Sequence, residues 1–152
     1  MRNVRQGEKT VNLYALVAGI VIAIYVVVRF RKTKLKKRKW VYPLFLATFP
    51  IYYWAFAVYG SDYMALKNEL LTGALFITLA YGAYKLSNFN APLVLAIGYM
   101  GHAIYDVGHN TLFINSGVPL WWPEFCGSVD ILIGIYLLIM AASLKMAQRK
   151  IA

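Results

Sequence analysis

Long apolar runs, each about the length that a helix needs to cross a membrane, divide most of this sequence. The first covers residues 11–29 and is rich in valine, isoleucine and alanine. A helix rises about 1.5 Å per residue, so roughly twenty residues cover a hydrocarbon core of about 30 Å. Similar runs follow at residues 41–59, 63–86, 91–113 and 126–146. The pattern predicts an all-α fold, a bundle of five transmembrane helices that forms one domain over residues 1–152.

Composition and charge favour a membrane protein over a soluble one. Of the 152 residues, 61% are hydrophobic and only 14% are charged, which leaves too little polar surface to cover a soluble globule. The formal net charge is +10, and half of the sixteen basic residues lie in one run that begins at Arg29 and ends at Lys39. Between two apolar runs, this cluster predicts a cytoplasmic loop over residues 30–40 that contacts anionic lipid headgroups. We therefore assign the charge to the membrane surface and not to nucleic acid.

The distribution of charge also predicts an orientation. Five spans put the two termini on opposite sides of the membrane. With the basic loop in the cytoplasm, Lys85 and the tail that contains Lys145 also lie inside, as the positive-inside rule requires. The predicted topology has the N-terminus outside and the C-terminus inside, in a bacterial inner membrane.

The fourth run contains both histidines of the chain and a carboxylate, in the segment GYMGHAIYDVGHN. Asp106 follows His102 by four residues and precedes His109 by three, so the three side chains form one stripe on a helix. Polar side chains of this kind are costly in hydrocarbon and indicate a functional site by default. We expect Asp106 to contact either imidazole.

Two further carboxylates are predicted to join this stripe. Given the orientation, Glu69, Asp106 and Asp130 lie within roughly 5 to 11 Å of the outer interface along their helices. Trp121 and Trp122 follow in a loop that would cover them. The sequence therefore predicts an outer-leaflet pocket formed by His102, Asp106, His109, Glu69 and Asp130.

Acid/base chemistry on a lipid or isoprenoid-like substrate is the leading functional hypothesis. Asp106 would orient a histidine by accepting its ring N–H, and the other ring nitrogen would exchange a proton with the substrate. Glu69 or Asp130 would supply a second acid or base. Whether the protein is an enzyme stays open at this point.

Metal binding is the first alternative, with His102, Asp106 and His109 as candidate ligands of zinc or iron. The two histidines stand about 10.5 Å apart along the helix axis, so a complete site would more comfortably combine one histidine and Asp106 with Glu69 or Asp130. The single cysteine, Cys126, excludes an internal disulfide and is interpreted as a small packing residue.

A structural role is the second alternative. The polar side chains would then satisfy one another inside a subunit of a homo-oligomer or of a larger membrane complex. Ion or proton conduction is disfavoured, because neither histidine and no acidic residue falls in the inner half of a span to continue a path.

The segments GHAIYDVGHN and VPLWWPEFCGSVD together resemble an uncharacterised family of small bacterial multi-pass membrane proteins. Its members have an H-x3-D-x2-H helix and a following Pro/Trp-rich loop that ends in Phe-Cys and an Asp. The resemblance covers residues 102–130, about a fifth of the chain. In the family pattern the second histidine is often doubled, whereas here Asn110 follows His109. The resemblance implies a membrane location and no particular activity.

Overall fold

The computed structural model describes residues 11–33, 38–87 and 89–150, and these residues form five α-helices and no strand. The helices are α1 (Leu13–Lys32), α2 (Val41–Tyr59), α3 (Tyr63–Lys85), α4 (Asn90–Leu112) and α5 (Trp122–Arg149). The all-α prediction is confirmed. Three helices, α1, α2 and α5, are long and apolar enough to cross a membrane. Residues 34–37 of the predicted basic loop lie outside the described residues.

The helix starts follow local capping chemistry. Asn12 caps α1 by accepting a 3.0 Å hydrogen bond from the backbone N–H of Ala15, and Asp62 caps α3 in the same way through Ala65. The fifth helix begins at Trp122, earlier than the predicted start at Cys126. The physical reason is Pro123, which sits in the first turn, where the missing N–H costs no hydrogen bond.

The core lies where α4 faces α5 and where α2 faces α3, and α1 packs along the outside of α5. Large apolar side chains fill one half of the bundle, the half nearer the start of α2 and the end of α3. Leu46, Tyr99, Ile133 and Leu137 are fully buried there. The other half of the bundle holds the buried polar side chains, so the two kinds of core are separated along the helix axes.

A glycine sets the distance between α2 and α3. A Cβ atom added at Gly73 would lie 2.7 Å from Cβ of Pro50 and 2.9 Å from the ring of Trp54. The Trp54 indole N–H also donates a 2.9 Å hydrogen bond to the backbone carbonyl of Glu69. This close approach keeps Glu69 on the inner face of α3.

Candidate metal centre

All five residues predicted as the site are buried inside the bundle. Their exposed fractions are 2% for Glu69, 1% each for His102, Asp106 and His109, and 0% for Asp130. None of them reaches the surface in the part of the chain that the structure describes. These five side chains therefore point into the bundle, as the sequence predicts.

One histidine faces two carboxylates across the contact between α4 and α5. Nδ1 of His102 lies 2.8 Å from Oδ2 of Asp130 and 3.5 Å from Oδ1 of Asp106. The first contact joins the two helices, and the second follows the i,i+4 spacing along α4. His102 and Asp106 of the predicted stripe are therefore joined by Asp130 of α5, and His109 is not part of this contact.

Cys126 completes this group, one turn before Asp130 on α5. Its Sγ atom lies 4.0 Å from Oδ2 of Asp130. His102, Asp106, Cys126 and Asp130 each offer one potential ligand atom, and these four atoms all lie within 4.8 Å of one another. We refer to these four residues as the HDCD cluster.

Several polar atoms of the HDCD cluster have no hydrogen-bond partner. These are Nε2 of His102, Oδ2 of Asp106 and Oδ1 of Asp130, and each is buried. A buried polar atom without a partner costs about 1 to 3 kcal/mol, and more if the group carries charge. Three such atoms lie in this one cluster.

The dimensions of the HDCD cluster fit a four-coordinate metal ion. Ligand bonds to zinc of about 2.0 to 2.3 Å in a tetrahedron separate neighbouring ligand atoms by about 3.3 to 3.8 Å. The four potential ligand atoms all lie within 4.8 Å of one another, which is at most about an ångström above that range. Side-chain adjustments of about an ångström would bring all four atoms to bonding distance.

The second histidine belongs to a different group. Nε2 of His109 lies 2.7 Å from Oε1 of Glu69, and the Tyr105 hydroxyl donates a 2.5 Å hydrogen bond to the other carboxylate oxygen. The side-chain amide of Asn115 donates to Oε1 of Glu69 at 2.9 Å and to the backbone carbonyl of Tyr53 at 3.2 Å. Both carboxylate oxygens of Glu69 therefore have hydrogen-bond partners. Glu69, His109, Tyr105 and Asn115 form a closed network.

Tyr53 connects the two groups. Its hydroxyl donates a 2.7 Å hydrogen bond to Oδ1 of Asp106, and its ring stacks on the His109 imidazole at a centroid distance of 4.8 Å. Trp122 covers this region from α5, with its ring edge-on to Phe56 at 4.8 Å. The phenol thus orients one oxygen of Asp106 towards α2.

Little free volume lies beside His102. The crevice that it shares with Glu69, Phe76 and Tyr105 has a cavity volume of about 0 Å³. Pockets that hold small organic ligands usually measure about 300 to 1,000 Å³. The crevice beside this imidazole is therefore far smaller than such a pocket.

Sequence reasoning found the acidic residues and the histidines but missed three of their partners. The sequence predicts a packing role for Cys126, and only its i,i+4 spacing to Asp130 signals that the two share a helix face. Tyr53 was one aromatic among many on α2, and nothing in the sequence distinguishes it. Asn115 lies in the loop after α4, where a buried amide is not expected.

Comparisons of the chain with protein-family models, with curated proteins and with solved structures found no match. The resemblance over residues 102–130 therefore rests on its motif alone. The functional argument depends on the geometry of the buried side chains.

Proposed function

We propose that this protein is an integral membrane protein that holds one transition-metal ion in the HDCD cluster. The observation that carries the proposal is the meeting of four potential ligand atoms within 4.8 Å, all on buried residues. An imidazole, a thiol and two carboxylates are the ligand types that zinc and iron accept. The unpartnered atoms of His102, Asp106 and Asp130 support the same conclusion.

Charge balance supports a cation at this position. Asp106 and Asp130 are 1% and 0% exposed, and ionised carboxylates in such surroundings need compensation. Protonation of His102 would supply one positive charge against two negative ones. A divalent ion would offset two of the three negative charges of the two carboxylates and the Cys126 thiolate, with His102 neutral as metal coordination requires.

Zinc fits the donor set best, and iron is the other candidate. Closed sites with four protein ligands, including Cys and His, are typical of structural zinc. Here the ligands come in pairs from α4 and α5, so an ion would tie these two helices together. We therefore propose that the metal stabilises the bundle.

Acid/base chemistry on a lipid is less well supported. The crevice at His102 has a cavity volume of about 0 Å³, and the carboxylates around it are at most 2% exposed. The second network is also closed, because Asn115 and Tyr105 occupy the oxygens of Glu69. The meeting of four potential ligand atoms within 4.8 Å favours metal binding over lipid chemistry at this position.

We further propose that α3 and α4 cross the membrane together with α1, α2 and α5. Each has 23 residues, enough for about 34 Å of helix. Their lower hydropathy arises from buried polar residues such as Glu69 and His102, whereas outward positions are apolar, for example Leu71 and Ile104. Five spans place the N-terminus outside and the C-terminus inside a bacterial inner membrane by the positive-inside rule.

Metal analysis of the purified protein tests the central proposal. The chain is extracted in neutral detergent without chelator, and its zinc and iron contents are measured by elemental mass spectrometry. We expect about one ion per chain, with loss of the ion in Asp130→Asn and Cys126→Ser. The matched controls are Glu69→Gln and His109→Gln, which alter the neighbouring network and should retain the ion.

Two outcomes would overturn the proposal. One is wild-type protein that contains no ion and takes up none when zinc or iron is supplied. The other is loss of metal in the controls to the same extent as in the cluster variants. Either result would favour a purely structural polar core.

Labelling of single cysteines tests the five spans. Ser116 and Ser87 lie in exposed positions of the loops on opposite sides of α4. In a Cys126→Ala background, Ser116→Cys should react with a membrane-impermeant maleimide in intact cells, and Ser87→Cys only after lysis. Equal reaction of both in intact cells would contradict the proposed topology.

A further inference from the structure

A second cavity lies at the opposite end of the bundle from the HDCD cluster. It measures about 410 Å³, within the range of ligand-binding pockets. Its walls come from the start of α2, the end of α3, the start of α4 and the last turns of α5. Pro43, Leu95 and Leu144 are among the apolar residues that line it.

One edge of this cavity is strongly cationic. Arg38 and Lys39 line it, and both are exposed just before α2. Ser87 and Ser143 add two hydroxyl groups to its lining. The cavity therefore combines an apolar interior with a rim of two positive charges and the Ser87 hydroxyl, which is the complement of an anionic amphiphile.

The surrounding charges have the same sign. Lys85 ends α3, and Lys145 on α5 has its ammonium 5.2 Å from the ring centre of Phe89 at this end of the bundle. The acidic residues within the described part of the chain lie towards the other end: Asp62, Glu69, Asp106, Glu124 and Asp130. An anion at the cavity rim is therefore attracted by these basic side chains. Among the described residues, no carboxylate lies close enough to repel it.

We propose that this cavity binds one anionic phospholipid of the surrounding leaflet. The phosphate contacts Arg38 and Lys39, and an acyl chain occupies the space beside Leu95 and Leu144. A soluble phosphate would use the rim alone and would leave the apolar walls without a role. A neutral phospholipid would leave the two charges unpaired.

Native mass spectrometry of the full chain in neutral detergent tests this proposal. The probes are phosphatidylglycerol, phosphatidylcholine and free glycerol phosphate. The test variant is Arg38→Ala/Lys39→Ala. The matched control is Arg149→Ala/Lys150→Ala, which removes the same charge at the end of α5 from two residues that do not line the cavity. Ser143→Trp, at an exposed lining position, fills the cavity without changing charge.

We expect the wild type to retain phosphatidylglycerol in preference to phosphatidylcholine. Each basic residue near an anionic lipid contributes about 1 kcal/mol, so Arg38→Ala/Lys39→Ala should weaken retention about 30-fold. Ser143→Trp should also weaken it, and the control should bind as the wild type does. Equal losses in the two charge variants, equal binding of the two phospholipids, full binding by Ser143→Trp, or equally tight binding of glycerol phosphate would each overturn the proposal.

Discussion

Nδ1 of His102 on α4 lies 2.8 Å from Oδ2 of Asp130 on α5, and both residues are almost completely buried. This contact joins the two helices that pack most extensively in the bundle. Asp106 and Cys126 approach the same point from the same two helices. The pair therefore marks the centre from which the proposed metal site is built.

The phenol of Tyr53 should tune the affinity of that site. Tyr53→Phe removes the 2.7 Å hydrogen bond to Oδ1 of Asp106 but keeps the ring stacked on His109. Loss of a partner that orients a metal ligand typically weakens binding about 10- to 100-fold. Competition with a chelator of known affinity measures the change. Tyr52→Phe, which alters an exposed neighbour, should have no effect, and an equal effect of both variants would contradict the assigned role.

The amide of Asn115 should stabilise the fold without holding metal. Asn115→Ala leaves Oε1 of Glu69 and the backbone carbonyl of Tyr53 without this donor. We expect the free energy of unfolding to fall by about 1 to 3 kcal/mol with metal content unchanged. Unfolding in detergent, followed by circular dichroism, measures the loss. Asn90→Ala, at an exposed position in the first turn of α4, is the control and should be close to neutral.

The two glycines of α3 should respond in opposite ways to alanine. At Gly73 a Cβ would meet Pro50 at 2.7 Å, so Gly73→Ala should destabilise the protein by about 1 to 3 kcal/mol. At Gly82 an added Cβ has open space, and Gly82→Ala should stabilise by up to about 1 kcal/mol through helix propensity. Thermal unfolding of the two variants side by side measures the difference. Similar effects at both positions would contradict the close packing of α2 on α3.

The helices were predictable from sequence because apolar length is a strong local signal. Four of the five predicted helices match the structure to within three residues at each end, and only the start of α5 is displaced, by Pro123. The depth of Glu69 and Asp130 along their helices predicted that both belong to one pocket with Asp106, and both are buried. These inferences depend on periodicity along one helix at a time.

The pairing of side chains between helices was not predictable in the same way. Whether His102 or His109 faces Asp130 depends on the rotation and depth of α4 against α5, which spacing along one helix does not determine. The partners of Glu69 come from α4 and from the loop after it, through His109, Tyr105 and Asn115. Sequence therefore identified which residues are polar and buried, and the structure divided them into two groups.

X-ray absorption spectroscopy at the metal edge tests the central claim most directly. For wild-type protein we expect about four ligands, with one sulfur at about 2.3 Å and nitrogen or oxygen atoms at about 2.0 to 2.2 Å. Where Cys126→Ser still retains some ion, its spectrum should lack the sulfur and keep the lighter ligands. A wild-type spectrum with no sulfur, or with six light ligands as in a hydrated ion, would contradict a metal centre formed by His102, Asp106, Cys126 and Asp130.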